Sequence, residues 1–147
     1  MLEMKIPFWP QFKGYRDIDL GLDRMLQALD RLNNPHKKLP KTIHIAGTNG
    51  KGSTLAFLKS ILAKNNYKVH CYTSPHLIEF NERIELSNKK IDDSYLNDCL
   101  KRCKEVCEME PKIDLTFFEG TTLAAFLAFS ETDADFLILE TGPWWQT

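Results

Sequence analysis

The stretch Gly47-Thr48-Asn49-Gly50-Lys51-Gly52-Ser53 lies between a short β-branched run, Thr42-Ile43-His44-Ile45-Ala46, and a segment with apolar residues at Leu55, Leu58, Ile61 and Leu62. A strand, a glycine-rich turn and a helix in direct succession is a strongly constraining pattern. Glycines let backbone N–H groups turn inward on an anion, and the start of the helix adds its partial positive charge. Lys51 is placed to reach the terminal phosphates of a nucleotide, and Ser53 supplies a hydroxyl for the magnesium ion that accompanies ATP. The common phosphate loop has four residues between its glycines and Ser or Thr directly after Lys. Here only Thr48 and Asn49 separate Gly47 from Gly50, and Gly52 intervenes before Ser53. A plain turn with a solvated lysine is the alternative, and the flanking strand and helix argue against it.

Around this unit the hydrophobic pattern alternates between strand-like and helix-like. Ile18, Leu22, Met25, Leu26, Leu29 and Leu32 recur at three- and four-residue steps, which predicts an amphipathic helix ended by Asn33, Asn34 and Pro35. Val69 to Thr73 reads as a second strand running into the loop Ser74-Pro75-His76. Asp92 is positioned to cap a helix carrying Tyr95, Leu96, Cys99, Leu100, Cys103, Val106 and Cys107 on one side. Thr116 to Ser130 predicts a further helix, against which Gly120 and the pair Thr121-Thr122 weigh. Phe136-Leu137-Ile138-Leu139 is a continuous apolar strand ending in Glu140, as in a parallel strand covered on both faces. The fold class expected is α/β: an open parallel sheet containing the phosphate loop, with helices on both faces.

A chain of 147 residues with 43% hydrophobic content has enough apolar surface for one core. Its 19 basic and 20 acidic residues nearly cancel, so no broad basic field draws it to nucleic acid or an anionic membrane. No apolar run reaches the roughly 18 to 20 residues that span a bilayer, and Met1 to Pro10 lacks the apolar stretch of a signal peptide, so a cytoplasmic location is expected. The four cysteines then read as thiols. Cys99, Cys103 and Cys107 fall four apart on one helix face, a spacing that suits small core residues better than a zinc site. His44 is expected to be a satisfied core or sheet histidine, while Lys37-Lys38 and Lys89-Lys90 read as solvated loop charges. Glu140, at the carboxyl end of a buried strand, is the best metal candidate on physical grounds, because that end of an α/β sheet lies beside the phosphate loop and a hard cation takes oxygen ligands. A strand-end carboxylate that simply meets solvent is its alternative.

The compact form of residues 47–53 resembles the nucleotide loop of the Mur ligase superfamily and, with Gly52 in place, that of the folylpolyglutamate/dihydrofolate synthase branch. Ile18 to Arg24 resembles that family's pterin-side segment. Thr73 to Leu77 with Phe80 to Ile84 resembles its omega loop, Leu115 to Glu119 its pteroate-lining segment, and Leu137 to Gly142 the strand end that delivers a magnesium-binding glutamate. The resemblance implies the Mur ligase central ATPase domain and an ATP-dependent reaction: a carboxylate is phosphorylated, and the amine of L-glutamate attacks the acyl phosphate. By the same resemblance Thr48, Asn49, Gly50, Lys51, Gly52 and Ser53 hold ATP, with Lys51 catalytic, and Ser74 and Glu140 hold Mg2+. Leu20, Gly21, Leu22 and Asp23, together with Thr116, Phe117, Phe118 and Glu119, face the substrate, dihydropteroate or a reduced folate. It further implies residues 1–41 as an N-terminal helical segment, 42–142 as a partial ATP-binding domain, a C-terminal ligase domain absent, and a monomeric parent enzyme. His76 is placed to bond phosphate or to cap its turn.

After Gly142 the family pattern continues with a Leu-Gly-Gly-Arg-type stretch, whereas this chain reads Pro143-Trp144-Trp145-Gln146-Thr147. Tryptophan has a single codon, and reading its two copies in the neighbouring frame gives Gly-Gly followed by Arg or Lys. Residues 143–147 are therefore expected to be an aberrant tail left by a frameshift. Such a fragment is expected to expose a sheet face and edge and to turn over little. An inactive remnant with residual nucleotide binding is the second expectation. A small P-loop kinase is the third, disfavoured by the short loop spacing and the lack of an Arg-rich lid segment.

Overall fold

The computed structural model describes residues 7–11, 22–46, 51–73 and 83–140, with the backbone alone for Lys51 and Gly52. Helix α1 (Leu22–Arg31) falls inside the predicted segment, whose first residues, 18–21, lie outside the described ones. It stops where predicted. Asn33 and Asn34 take left-handed φ values of 66° and 55°, a conformation asparagine tolerates better than most residues. The amide of Asn34 closes onto the Leu29 carbonyl at 2.8 Å before a short 3-10 helix over Pro35–Lys38.

Strand β1 (Lys41–Ile45), helix α2 (Lys51–Lys64) and strand β2 (Val69–Tyr72) follow as the pattern predicts. Strands β3 (Ile84–Leu86) and β4 (Lys89–Lys90) form a hairpin that the sequence reading did not contain. Its two-residue turn, Ser87-Asn88, has φ of 47° and 72°, positive at both central positions as in the turn whose twist matches a hairpin. Asn88 also ties the hairpin to β2: its amide donates to the Val69 carbonyl at 2.9 Å and its Oδ1 accepts from the Val69 amide at 3.1 Å.

Helix α3 (Asp93–Glu108) begins after Asp92, which occupies the capping position without a side-chain cap bond. Helix α4 (Phe117–Glu131) leads to β5 (Phe136–Glu140). The sheet order is β1-β5-β2-β3-β4. The first three strands are mutually parallel, as expected, and the hairpin adds antiparallel pairing, so the sheet as a whole is mixed. A two-residue connection is too short for a crossover and forces that direction.

β5 lies between β1 and β2, and its alternation divides the core. Leu137 and Leu139 pack with residues of α1, α3 and α4, whereas Phe136 and Ile138 pack with α2. Helices thus cover both faces. Cys99, Cys103 and Cys107 are buried core residues of α3, and all four cysteines are free thiols. His44, by contrast, is exposed on β1 at the margin of the sheet, so of the two roles expected for it only the sheet role stands. The outward side of α2 leaves Phe57 and Ile61 exposed.

The residues that weaken the α4 prediction have structural explanations. A Cβ on Gly120 would fall within the Pro10 ring, so the segment at Trp9-Pro10 can lie directly on the helix only at a glycine. Thr121 Oγ1 donates back to the Phe117 carbonyl at 2.8 Å, and Thr122 Oγ1 meets the Tyr72 hydroxyl at 3.1 Å. His70, in β2, is fully buried and stacked on Phe129. Its Nδ1 accepts from the Ser87 amide at 3.0 Å, which leaves Nε2 to donate to the Thr132 carbonyl at 2.8 Å. Burial holds its pKa below the ordinary 6.5.

Two outcomes are expected. Gly120→Ala should destabilise by about 1–3 kcal/mol through overpacking, whereas the same change at an unobstructed helix site would stabilise. Urea unfolding reads the sign. A base with a depressed folded pKa binds more protons unfolded, so its contribution is complete above about pH 6.5 and declines as pH falls below it. The urea midpoint should accordingly drop from pH 7 to pH 5, and more steeply in the wild type than in His70→Gln.

Candidate active site

The parallel pairing of β1 with β5 sets Ile45 opposite Glu140. β1 therefore ends beside Glu140, and the chain passes through residues 47–50, which lie outside the described residues, into α2 at Lys51. The first turn of α2 contains no acidic residue to neutralise the partial positive charge of its amides. Ser53 is exposed at that end.

Side-chain alternation decides which face Glu140 shares. Ile43 and Ile45, Val69 and Cys71, and Phe136 and Ile138 all pack toward α2. Two residues beyond Ile138, Glu140 points to the same side, half-buried. The Cys71 thiol reports the resulting field. Burial pushes its pKa up to about 12, with Glu85 adding to the rise, Lys59 opposing it and Glu140 contributing further.

On the opposite face two helix starts meet at the same end of the sheet. Thr116 and Glu119 form a reciprocal cap: Thr116 Oγ1 accepts from the Glu119 amide at 3.2 Å, and a Glu119 carboxylate oxygen accepts from the Thr116 amide at 2.9 Å. Arg24 of α1 donates to both Glu119 oxygens at 3.1 and 3.2 Å, although Glu119 is only 2% exposed. This pair ties the start of α1, where Leu22 and Asp23 are exposed, to the start of α4, where Thr116, Phe117 and Phe118 are half-buried. Because α4 runs back into β5, its start lies at the carboxyl end of the strands. The Thr122–Tyr72 bond fixes it there, Tyr72 being the last residue of β2. A cavity of about 400 Å³ opens beside it, lined by Trp9, Gln11, Arg24, Lys112, Leu115 and Thr116 among others.

Of the residues singled out from sequence, Glu140, Lys51 and Ser53 thus share the α2 side of the sheet end, while Leu22, Asp23 and Thr116 to Glu119 gather on the other side. Thr48, Asn49, Gly50, Ser74, His76, Leu20 and Gly21 lie outside the described residues, and Gly52 is described by backbone alone. The sequence reading gave no role to Arg24 or to the Lys59–Glu85 ion pair. Arg24 stands within the quoted pterin-side segment, but its partner is 95 residues away. Among the described residues no group of three or more His, Cys, Asp or Glu converges to hold a metal. A half-buried carboxylate at a strand end is the kind of group that suits a hard divalent cation drawing its remaining ligands from phosphate oxygens and water.

An α/β sheet with a helix-start site at the carboxyl ends of its parallel strands defines the class of doubly wound α/β proteins that take ligands at that edge. No family model matches the sequence. The chain is 43% identical over 126 residues to the dihydrofolate synthase/folylpolyglutamate synthase of Bacillus subtilis, covering 83% of this chain and 29% of that protein. Two solved structures superpose with a TM-score of 0.75. The bifunctional folylpolyglutamate synthase/dihydrofolate synthase of Yersinia pestis, complexed with AMPPNP and Mn ion, is 35% identical, with 86% of this chain and 30% of that one covered. E. coli FolC in complex with DHPP and ADP is 38% identical, with 85% and 29% covered. Over these residues the chain belongs to the folylpolyglutamate synthase/dihydrofolate synthase family. It spans less than a third of the length of each of these relatives.

The Arg24–Glu119 pair yields a test. Arg24→Met should lower stability by about 1–3 kcal/mol, since it leaves a buried carboxylate short of donors. Much of this should return in the double variant with Glu119→Gln, whose neutral side chain still accepts from Thr116. Urea midpoints of the four proteins check the cycle.

Proposed function

We propose that the chain supplies the ATP-phosphate and magnesium-binding part of a ligase that joins L-glutamate to a dihydropteroate or folate carboxylate through an acyl phosphate. The observation that carries this reading is the Ile45–Glu140 register, which sets a carboxylate beside the last residue of β1, the strand that precedes α2 in the chain. Thr48, Asn49, Gly50, Gly52 and Ser53 surround the phosphates, and Lys51 holds the negative charge of the transferring phosphoryl group. Glu140 and Ser74 are the protein ligands of Mg2+, which when bound neutralises charge on the phosphate oxygens. Leu20 to Asp23 and Thr116 to Glu119 orient the pterin and benzoate, with Glu119 acting chiefly through its cap and its bond to Arg24. The nucleotide and DHPP named for the solved relatives support these assignments. In this reading residues 1–41 form the pterin-side segment and 42–142 the nucleotide-binding unit. The parent enzyme in this reading is cytoplasmic and monomeric.

Titration calorimetry with Mg-ATP tests the reading. Lys51→Ala should weaken binding about ten- to hundredfold, the loss expected for a charge-assisted contact. Equal affinity in the two proteins would remove the loop from the site. Glutamate-dependent ADP release with dihydropteroate separates a ligase from a remnant that only binds nucleotide, and phosphoryl transfer without amide formation would instead favour a kinase.

A further inference from the structure

Helix α2 carries the start of the nucleotide loop's exit, yet apolar packing holds it lightly. Among its described side chains Leu55 is buried and Leu58, Lys59 and Leu62 are half-buried, whereas nine residues of α4 are buried. Apolar contact is non-directional, so three leucines on a sheet resist separation much better than they resist sliding or rotation. Lys59, within this face, makes a directional contact. Lys59 Nζ lies 2.5 Å from Glu85 Oε2, with side-chain exposures of 32% and 23%. Glu85 belongs to β3, where it is paired with Cys71 of β2. The Cys71 thiol senses Glu85, Lys59 and Glu140 together, so the pair and the candidate metal carboxylate share one electrostatic neighbourhood.

We propose that the Lys59–Glu85 pair is a positioning device for the nucleotide loop: it fixes the rotation and height of α2 against β3, so that the helix start faces the end of β1 and Glu140. Lys59 is two turns along α2 from Lys51, about 12 Å at the helical rise, so it acts through the rigid helix and touches no nucleotide. The inference rests on the nucleotide reading of the loop, and the experiment keeps the two apart.

Hydrogen exchange of the full chain is compared among wild type, Lys59→Met, Glu85→Gln and the double reversal Lys59→Glu/Glu85→Lys, alongside Mg-ATP titration of each. Single variants should exchange the amides of the first two turns of α2 about two- to fivefold faster, as expected for the loss of a part-exposed pair, with α4 amides unchanged and Mg-ATP affinity reduced by a similar factor. The reversal should restore both. Unchanged α2 exchange in the single variants, or a reversal as fast as they are, overturns the proposal. A wild type that shows the expected exchange pattern but ignores Mg-ATP overturns the nucleotide reading and leaves the clamp on α2 standing.

Discussion

The parallel pairing of β1 with β5 is the constraint on which the rest of the molecule depends. It sets Ile45 against Glu140, and a one-residue slip would turn every β5 side chain to the other face. Leu137 and Leu139 would leave the α4 side, Ile138 would leave α2, and Glu140 would point away from the start of α2. The site and the core are therefore specified by one register. That register is strongly determined because Leu137 and Ile138 are both fully buried on opposite faces.

The two faces of the sheet are built on different physical terms. On one, α1, α3 and α4 enclose a large apolar cluster that includes Leu100, Leu123 and Phe129. Two buried polar side chains on this side are each hydrogen-bonded from two directions, His70 between Ser87 and Thr132 and Glu119 between Thr116 and Arg24. Burial makes such bonds directional and their loss costly. On the other face α2 rests on a smaller cluster with Phe57 and Ile61 turned outward. A densely packed three-helix face thus lies across the thickness of one sheet from a single, lightly held helix.

Much of this was legible in sequence, for identifiable reasons. Elements whose apolar pattern repeats with a clear period, such as α1, α3 and β5, were recovered with small boundary shifts, because periodicity is a local signal. The β3–β4 hairpin was missed because its turn is Ser87-Asn88: only asparagine hints at positive φ, and the strands are three and two residues long. Gly120 argued against a helix when read alone, since its reason is Pro10, 110 positions away. The role of Glu140 as a strand-end carboxylate was readable from its own neighbourhood, but its face and its register with Ile45 were not. Arg24 and Lys59 were invisible as partners for the same reason, since which cation meets which carboxylate is set by tertiary packing.

Glu119 shows how a residue legible for one role can carry another. Its position in Leu115 to Glu119 suggested contact with substrate, yet its oxygens are occupied by Thr116 and Arg24 within a buried cap. A side chain so engaged contributes by geometry: it fixes where α4 starts and how α1 meets it, and so sets the spacing between Leu22-Asp23 and Phe117-Phe118. A flat aromatic ligand held between those two helix starts would depend on that spacing more than on any hydrogen bond from Glu119 itself. The other face has a comparable tie, where Glu85, two strands from Glu140 across β2, engages Lys59. In both places a carboxylate held by a cation from another element serves the architecture.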